Sequence, residues 1–501
     1  MASLNAFERA LSAVSPGWGA RRLSDKFAFE QVSEAVRGFD AARHDRRTAS
    51  WHTGGGSASR ELSGSLSTIR NRSRDLVRNN EWARNIKTKL CAHIVGAGFT
   101  PRPPSDLSKA AKKRRRDLWN AFSDNCDPEG LADWPGKQAQ IIGEVIEGGA
   151  AFVRWYLRPP EWGMKVPLQC EVLEHDHLDT AKTEILQSGN VVVAGVEYDD
   201  YGRRVAYWLF PVHPGEISIL RSGRNFLSER VPATEVDHIF RIDRVGQVTG
   251  VPWLAPTMLR LRDAADYEEA ELVRKKIEAC LTVFVRRTGH GPANLAQREG
   301  QARDTRGRRL EKIAPGLIAY LQADEEVQAV TPTPSNGYDT HMSRQLLASA
   351  AGAGLPYASA SGDLTRTSFS SMREGKLDFW QVLDQWQWLM AVPQMLRPAD
   401  RRVLAAAAGR GMVGIDAGRR SEWTPPRRPW VDPQKDAKAK ETELALGLES
   451  WREEVSARGY DPDERLEEME ADAPALKKAG IVFCAAPGEP QQEKDLADEQ
   501  A

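Results

Sequence analysis

The chain has 501 residues, of which 41% are hydrophobic and 28% charged, with a formal net charge of −1. That is the composition of a globular protein with a large buried core and roughly two to four compact units. No apolar run approaches the ~18 residues of a membrane span, and residues 1–20 show no basic stretch leading into a long apolar core, so the chain is expected to be cytosolic when made.

Five cysteines, Cys91, Cys126, Cys170, Cys280 and Cys484, are odd in number and widely spaced, which predicts reduced and mostly buried thiols rather than disulfides or a zinc site. The near-zero net charge hides an asymmetry. Residues 60–116 carry 15 Lys/Arg against 4 Asp/Glu, a balance of +11, whereas residues 432–501 carry 9 against 19, a balance of −10. Such a split suggests different partners for the two ends, or two solvated helical faces.

In chain order, residues 1–64 read as a loosely organised arm, poor in apolar residues and carrying the flexible "TGGGSASRELSGS". In "LSTIRNRSRDLVRNNEWARNIKTKLCAHIVG", Ile69, Leu76, Val77, Ala83, Ile86, Leu90 and Ile94 fall near helical spacing, predicting one long amphipathic helix closed by Gly96 and Gly98. A second basic helix, "DLSKAAKKRRRDLWNAFSDNC", follows. From Ile141 the pattern turns extended: "AAFVRWYLR", "PLQCEVLE", "VVVAGVEYDD", "RRVAYWLFPV" and "VDHIFRI" are β-branched and aromatic, and "GVEYDDYGRRVAYWLF" is a clear hairpin. These predict a mixed or antiparallel sheet with helices packed on it, an α+β fold.

A helix is predicted from Pro256 to Cys280, then a glycine- and arginine-rich stretch with two strand-like pieces, "GLIAYL" and "VQAVTP". Another helix begins near Tyr338 and stops at Leu355-Pro356, because the residue before proline is pushed out of helical geometry. The polar segment "YASASGDLTRTSFSSMREG" follows, then a long helix with Phe369, Met372, Phe379, Leu383, Trp386 and Met390 on its apolar stripe. The chain closes with a Pro-rich linker, acidic helices and a tail of disordered composition.

Motifs for chemistry are sparse. The serines near 359–371 lack a GxSxG elbow, and His341 has no evident orienting carboxylate, so no catalytic residue is assigned. In "EHDHLD", His175 and His177 would share a face of a strand and reach one ion, but an exposed strand-to-turn segment reads the same way, and no metal site is assigned. The GxxxxGK[ST] phosphate loop is missing, so motor work must come from a partner, and no cofactor is expected. Arg286, Arg287, Arg303, Arg306, Arg308 and Arg309 form a basic, apolar-poor region suited to phosphate or partner contact.

Taken together, "DLVRNNEWARNI", "GVEYDDYGRRVAYW", "HIFRIDRVGQVTGVPWLAP", "YEEAELVRKK", "TSFSSMREG" and "WVDPQKDAKAKETELALGL" resemble the lambda-type portal proteins of tailed bacteriophages, over about residues 41–470. The resemblance implies an α+β portal fold and a dodecameric ring at one capsid vertex of the virion, assembled in the host cytoplasm. Through this ring terminase drives double-stranded DNA inward, and through it the genome leaves. Its implied partners are the terminase large subunit, the major capsid and scaffold proteins, and head-tail connector proteins. Mapped onto that plan, residues 65–255 become the wing with its helices and mixed sheet, 256–280 a stem helix, and 281–333 the clip carrying the six arginines. Residues 334–352 become the second stem helix and 353–368 the tunnel loop, with Ser359, Ser361, Asp363, Thr365, Arg366, Thr367 and Ser368 facing DNA in the channel. Residues 369–429 form the long wing helix and linker, and 430–501 the helical crown and acidic tail. One departure stands out: where the family pattern has glutamine-arginine-glycine, this chain has Val248 and Thr249 within "GQVTGVP". The alternative reading is a nucleic-acid-processing enzyme or DNA-binding factor whose basic helices, Arg70 to Lys89 and Lys109 to Arg116, form a substrate groove.

Overall fold

A computed structural model describes residues 53–216, 227–279, 337–413, 419–429 and 432–479, the backbone of two short strands at 283–287 and 325–329, and a few residues nearer the N-terminus. The chain divides into two compact units, Met1–Ser57 and Ala58–Ala501. Of the first, a helical stretch at 20–26 is described. The second begins with helix α1 (Ala58–Ser63), inside the segment expected to be a flexible arm.

The single helix expected over 66–95 is two, α2 (Leu66–Asn79) and α3 (Glu81–Val95). Asn80 between them is extended (φ −119, ψ 122), and its side chain accepts a hydrogen bond from the Ala83 backbone N–H at 2.9 Å. The apolar residues at helical spacing run on across the break, but the local backbone obeys the N-cap. Strand β1 (Thr100–Arg102) leads to α4 (Lys109–Ser123) and α5 (Trp134–Gly148), the latter capped by Asp133.

Strands β2 (Ala150–Leu157), β3 (Leu168–Glu174), β4 (Glu184–Ile185), β5 (Val191–Val193), β6 (Val196–Tyr198), β7 (Arg204–Leu209), β8 (Glu229–Pro232) and β9 (Val236–Phe240) form two antiparallel sheets, ordered β3-β2-β9 and β4-β5-β6-β7-β8. The predicted hairpin is the β6–β7 pair. Its turn is tied by the Asp199 carboxylate, which accepts from the backbone N–H groups of Tyr201 and Arg203 at 3.0 and 2.8 Å.

Helix α6 (Met258–Ala279), strands β10 (Val283–Arg287) and β11 (Glu325–Ala329), and helices α7 (Tyr338–Ala353), α8 (Tyr357–Ser361) and α9 (Phe369–Gln385) follow. Next, Trp386–Leu396 is wound as π-helix around Pro393 and runs directly into α10 (Arg397–Ala408). Proline has no N–H to give the helix, so the regular i→i−4 ladder is interrupted there. On the predicted stripe of this helix Phe379, Leu383 and Met390 are buried, whereas Trp386 is half-buried, its ring 4.8 Å from that of Trp253. Strand β12 (Glu422–Thr424) pairs with β1, and α11 (Pro433–Ala445), α12 (Trp451–Ala457) and α13 (Pro462–Lys478) complete the chain. The main core gathers Trp119, Phe122, Trp134, Trp155 and Trp423 with the apolar faces of α3 and α5. Cys126 and Cys170 are buried there and Cys91 is half-buried, while Cys280 and Cys484 lie outside the described residues.

The "GQVTGVP" segment lies where the two sheets meet. Gly250 packs so closely that a Cβ there would come 2.0 Å from the Gly149 carbonyl oxygen. Beside it His175 Nδ1 lies 2.8 Å from the Gly148 carbonyl, Thr249 Oγ1 lies 2.7 Å from His175 Nε2 and 3.2 Å from His238 Nε2, and Arg204 Nη1 lies 2.9 Å from His238 Nδ1. One proton assignment satisfies every member. His175 Nδ1–H donates to Gly148, the Thr249 hydroxyl donates to His175 and accepts from His238 Nε2–H, and Arg204 donates to His238. Both imidazoles are then neutral. Burial, helped by the Arg70 charge, pushes His175 down to about 4, and burial with Arg204 holds His238 well below its usual value. Because the unfolded chain takes up a proton on such a histidine near pH 6.5 and folded His175 does so only near 4, the stability held above pH 6.5 is lost as the pH falls through that window. Thr249→Val keeps the shape and removes the hydroxyl that bridges two buried rings. It should cost about 1–3 kcal/mol in chemical denaturation, and an unchanged unfolding midpoint would contradict this chain of hydrogen bonds.

Candidate functional site

The polar segment expected at 353–368 is more ordered than a loop. Gly354, at φ 76, ends α7 and fits under Trp386, whose ring a Cβ would approach to 3.1 Å. Pro356 then starts the short helix α8, which Asn85 on α3 fixes by donating to the carbonyls of Ser359 and Ala360 at 3.1 and 2.7 Å. Gly362, at φ 74, ends it.

The hydroxyls here serve the backbone. Ser361 donates to the Tyr357 carbonyl at 2.8 Å, Thr367 donates to the Leu364 carbonyl at 3.0 Å, and Ser368 caps α9 in a reciprocal box with Ser371. Asp363 accepts from the Thr365 N–H at 2.9 Å, and the Thr365 hydroxyl and backbone bonds hold its carboxyl below the usual range. Ser359 is half-buried, while Thr365, Arg366 and Ser368 are exposed. Arg366 pairs with Asp339 on α7 and lies 3.4 Å from Asp363. Thus the seven expected residues run from α8 through the turn after it to the cap of α9, but within a single chain the positive charge of Arg366 faces two carboxylates. Asp339 and Asn85, which fix the segment, lie far away in sequence and carry no local signal.

Of the other expected site, Arg286 and Arg287 lie on β10, paired with Glu326 and Glu325 in the β11 register. Their side chains, and Arg303, Arg306, Arg308 and Arg309 entirely, lie outside the described residues.

The "EHDHLD" segment is not a strand with two histidines on one face. His175–His177 is a 3-10 turn, whose three residues per turn send positions i and i+2 in different directions. His175 enters the Thr249 network, and His177 Nδ1 lies 3.3 Å from the Glu174 carbonyl oxygen. Glu174, Asp176 and His213 do converge, but Arg74 sits among these acids, 2.7 Å from Glu174, 2.6 Å from Asp176 and 3.1 Å from Glu144. Burial pushes Glu144 up to about 7 despite Arg74, while Arg70 and Arg74 outweigh burial at Asp176 and hold it ionised.

Arg74 belongs to a wider pattern that corrects the reading of the basic helices. Arg70 binds Asp176 at 2.8 Å and Lys87 pairs with Glu147. On α4, Lys112 binds Asp463 at 2.9 Å, Arg115 lies 3.7 Å from Asp400, and Arg116 reaches Asp461, Glu464 and Glu467 at 3.8, 3.3 and 3.5 Å. Arg102 pairs with Glu422. The basic segment and the acidic C-terminal helix, expected to serve different partners, meet through Lys109, Lys112 and Arg116, while Arg70, Arg74, Lys87, Arg102 and Arg115 pair with acids elsewhere in the chain. A substrate groove made of these bases would have to break several of those pairs first.

At the polar turn, Arg366→Glu would set three carboxylates together. Exposed pairs are worth little, so global stability should move by less than about 1 kcal/mol, while amide exchange over 357–368 should accelerate. Unchanged exchange there would show that the Asp339–Arg366–Asp363 contacts do not hold the turn.

A model for the phage portal proteins of the lambda family matches residues 44–387. A probable portal protein of Halomonas phage phiHAP-1 is 26% identical over 472 residues, covering 89% of this chain and 88% of the relative. Among solved structures, a chain of the virion of a native gene transfer agent particle has a TM-score of 0.44 at 14% identity, covering 79% of this chain and 94% of that one. An HK97 family phage portal protein from Corynebacterium diphtheriae has a TM-score of 0.31 at 12% identity, covering 71% and 93%. At these scores neither structure bears on the placement of individual elements. The family match spans well over half of the sequence, and on it this chain belongs to the lambda family of phage portal proteins.

Proposed function

We propose that the chain assembles into a closed ring of twelve copies at one vertex of a phage capsid, a structural rather than catalytic part through which DNA is packaged and later released. The observation that carries the ring is helix α6. Its described buried residues end at Ala264, and beyond them the helix exposes Leu272 and Val273 at 54% and 46%. Among the described residues α7 runs beside this half of the helix, through Tyr267 stacked on Tyr338 at 5.8 Å and the Tyr338 hydroxyl donating to Glu268 at 3.0 Å. Leu347 on α7 and Leu389 in the π-helical turn are also exposed, at 44% and 71%. A ring covers such faces copy against copy, since a head-to-tail interface joins two different patches and closes when the rotation allows.

On this reading α6 and α7 are the paired stem helices, the β10–β11 region is the clip, and the sheets with α2 to α5 form the wing. The turn at 357–368 faces the channel, and α11 to α13 form the crown. Terminase and the head-tail connector proteins dock at the clip arginines, and capsid and scaffold proteins dock around the wing. DNA slides past because most bases of the wing are already neutralised, leaving local rather than uniform positive charge. Purified chain examined by negative-stain microscopy and native mass spectrometry should give rings with a central hole and a mass near twelve copies. A monodisperse monomer at micromolar concentration would overturn the ring.

A further inference from the structure

Many of the described bases pair with carboxylates, and a group that does not lies in a concave site. Between α10 and the segment before β12 lies a pocket of about 430 Å³, lined by Arg397, Asp400, Arg401, Arg419, Arg420 and Ser421 with Pro393 and Leu404. Its floor is closed. Asp400 accepts from the Ser421 hydroxyl at 3.1 Å and lies 3.7 Å from buried Arg115, which in turn donates to the Arg419 carbonyl and the Ser421 hydroxyl, both at 3.0 Å. At the rim Arg419 pairs with Asp106. Arg397, Arg401 and Arg420 are exposed and make no ion pair with a described residue. Arg401 acts on Asp237 only at longer range, and that carboxylate is already held by Arg402 at 2.8 and 2.7 Å. Among the described residues, five guanidiniums therefore face two carboxylates, a local balance of +3 in a concave site.

We propose that this pocket binds phosphate groups, those of a DNA backbone or free phosphate, through the guanidiniums of Arg397, Arg401 and Arg420. Guanidinium forks suit tetrahedral oxyanions because each offers two parallel N–H donors. The volume lies within the range of ordinary ligand pockets, but the lining is charged, so the ligand is recognised by charge rather than by apolar shape. Asp400 does not repel it, because Arg115 and Ser421 already engage that carboxylate. The pocket is built from α10 and the β12 approach, elements separate from the 357–368 turn, and so supplies a second DNA contact outside the segment assigned to the channel. Only the choice of DNA as the phosphate source rests on the portal reading.

The test measures binding of a short labelled duplex to the full chain across a range of salt concentrations. The triple variant Arg397→Gln, Arg401→Gln, Arg420→Gln should lower the slope of log affinity against log salt by about 2–3, since each neutralised phosphate contributes roughly 0.9. The corresponding lysine variant should keep most of the slope. Pyrophosphate at matched ionic strength should displace the duplex from wild type, and direct pyrophosphate binding that the glutamine variant loses identifies free phosphate as a second occupant. A wild-type slope in the glutamine variant overturns the proposal. So does displacement by poly-glutamate where pyrophosphate has no effect, which would assign the pocket to an acidic protein segment. Rings scored in the same preparations separate this from assembly: lost slope with intact rings speaks for the pocket, and if the glutamine variant fails to fold, the lysine variant and the competition on wild type decide.

Discussion

The structure depends on how the positive charge of residues 60–116 is neutralised. A guanidinium as buried as Arg70, 6% exposed, is not stable beside apolar helices without a counter-charge, because leaving a buried ion unpaired costs about 3–5 kcal/mol. The chain supplies counter-charges from five places: α5 with Glu144 and Glu147, the turn with Glu174 and Asp176, α10 with Asp400, β12 with Glu422, and α13 with its start at Asp461, Asp463, Glu464 and Glu467. Arg116 alone faces three acids of that last region while its side chain is only 10% exposed. These pairs fasten the C-terminal helix onto α4 and tie α2 to the edge of the β2–β3 sheet. Much of the charge of the basic helices is thus used within the chain to position elements.

Much of this architecture is legible in the sequence, and the gaps have physical causes. The helices at 109–123, 258–279, 338–353 and 369–385 and the β6–β7 hairpin follow from apolar periodicity and turn chemistry. The break at Asn80 is missed because the apolar stripe continues through it. The signal was present in the capping residue, which here outweighs periodicity. The charge totals of the two ends are plain in the composition, but which base meets which acid is a tertiary fact, with partners such as Lys112 and Asp463 separated by 351 positions.

The polar segment shows the same limit at the level of a site. Its richness in serine and threonine reads as a flexible, hydrated loop, yet Ser361, Thr367 and Ser368 turn their hydroxyls back onto the local backbone, and Asn85 clamps the short helix from outside. Composition conveys polarity, not where the hydrogen bonds go. Thr249 teaches the converse: read only as a departure from a family pattern, it is the hydroxyl that lets two buried histidines stay neutral and satisfied. The family itself was legible because its signal is spread over the order of many weak motifs, none of which needs its partner to be known.

The most direct test of the charge account is to remove the acids of the C-terminal helix while leaving every base in place. The variant Asp461→Asn, Asp463→Asn, Glu464→Gln, Glu467→Gln frees Lys112 and Arg116, and its urea stability and its affinity for a nonspecific duplex can be measured beside wild type at several salt concentrations. Neutralisation within the chain predicts a less stable protein that binds DNA more tightly and with a steeper salt dependence. Unchanged stability together with unchanged DNA affinity would contradict it, and would return the basic helices to the role of an external binding surface.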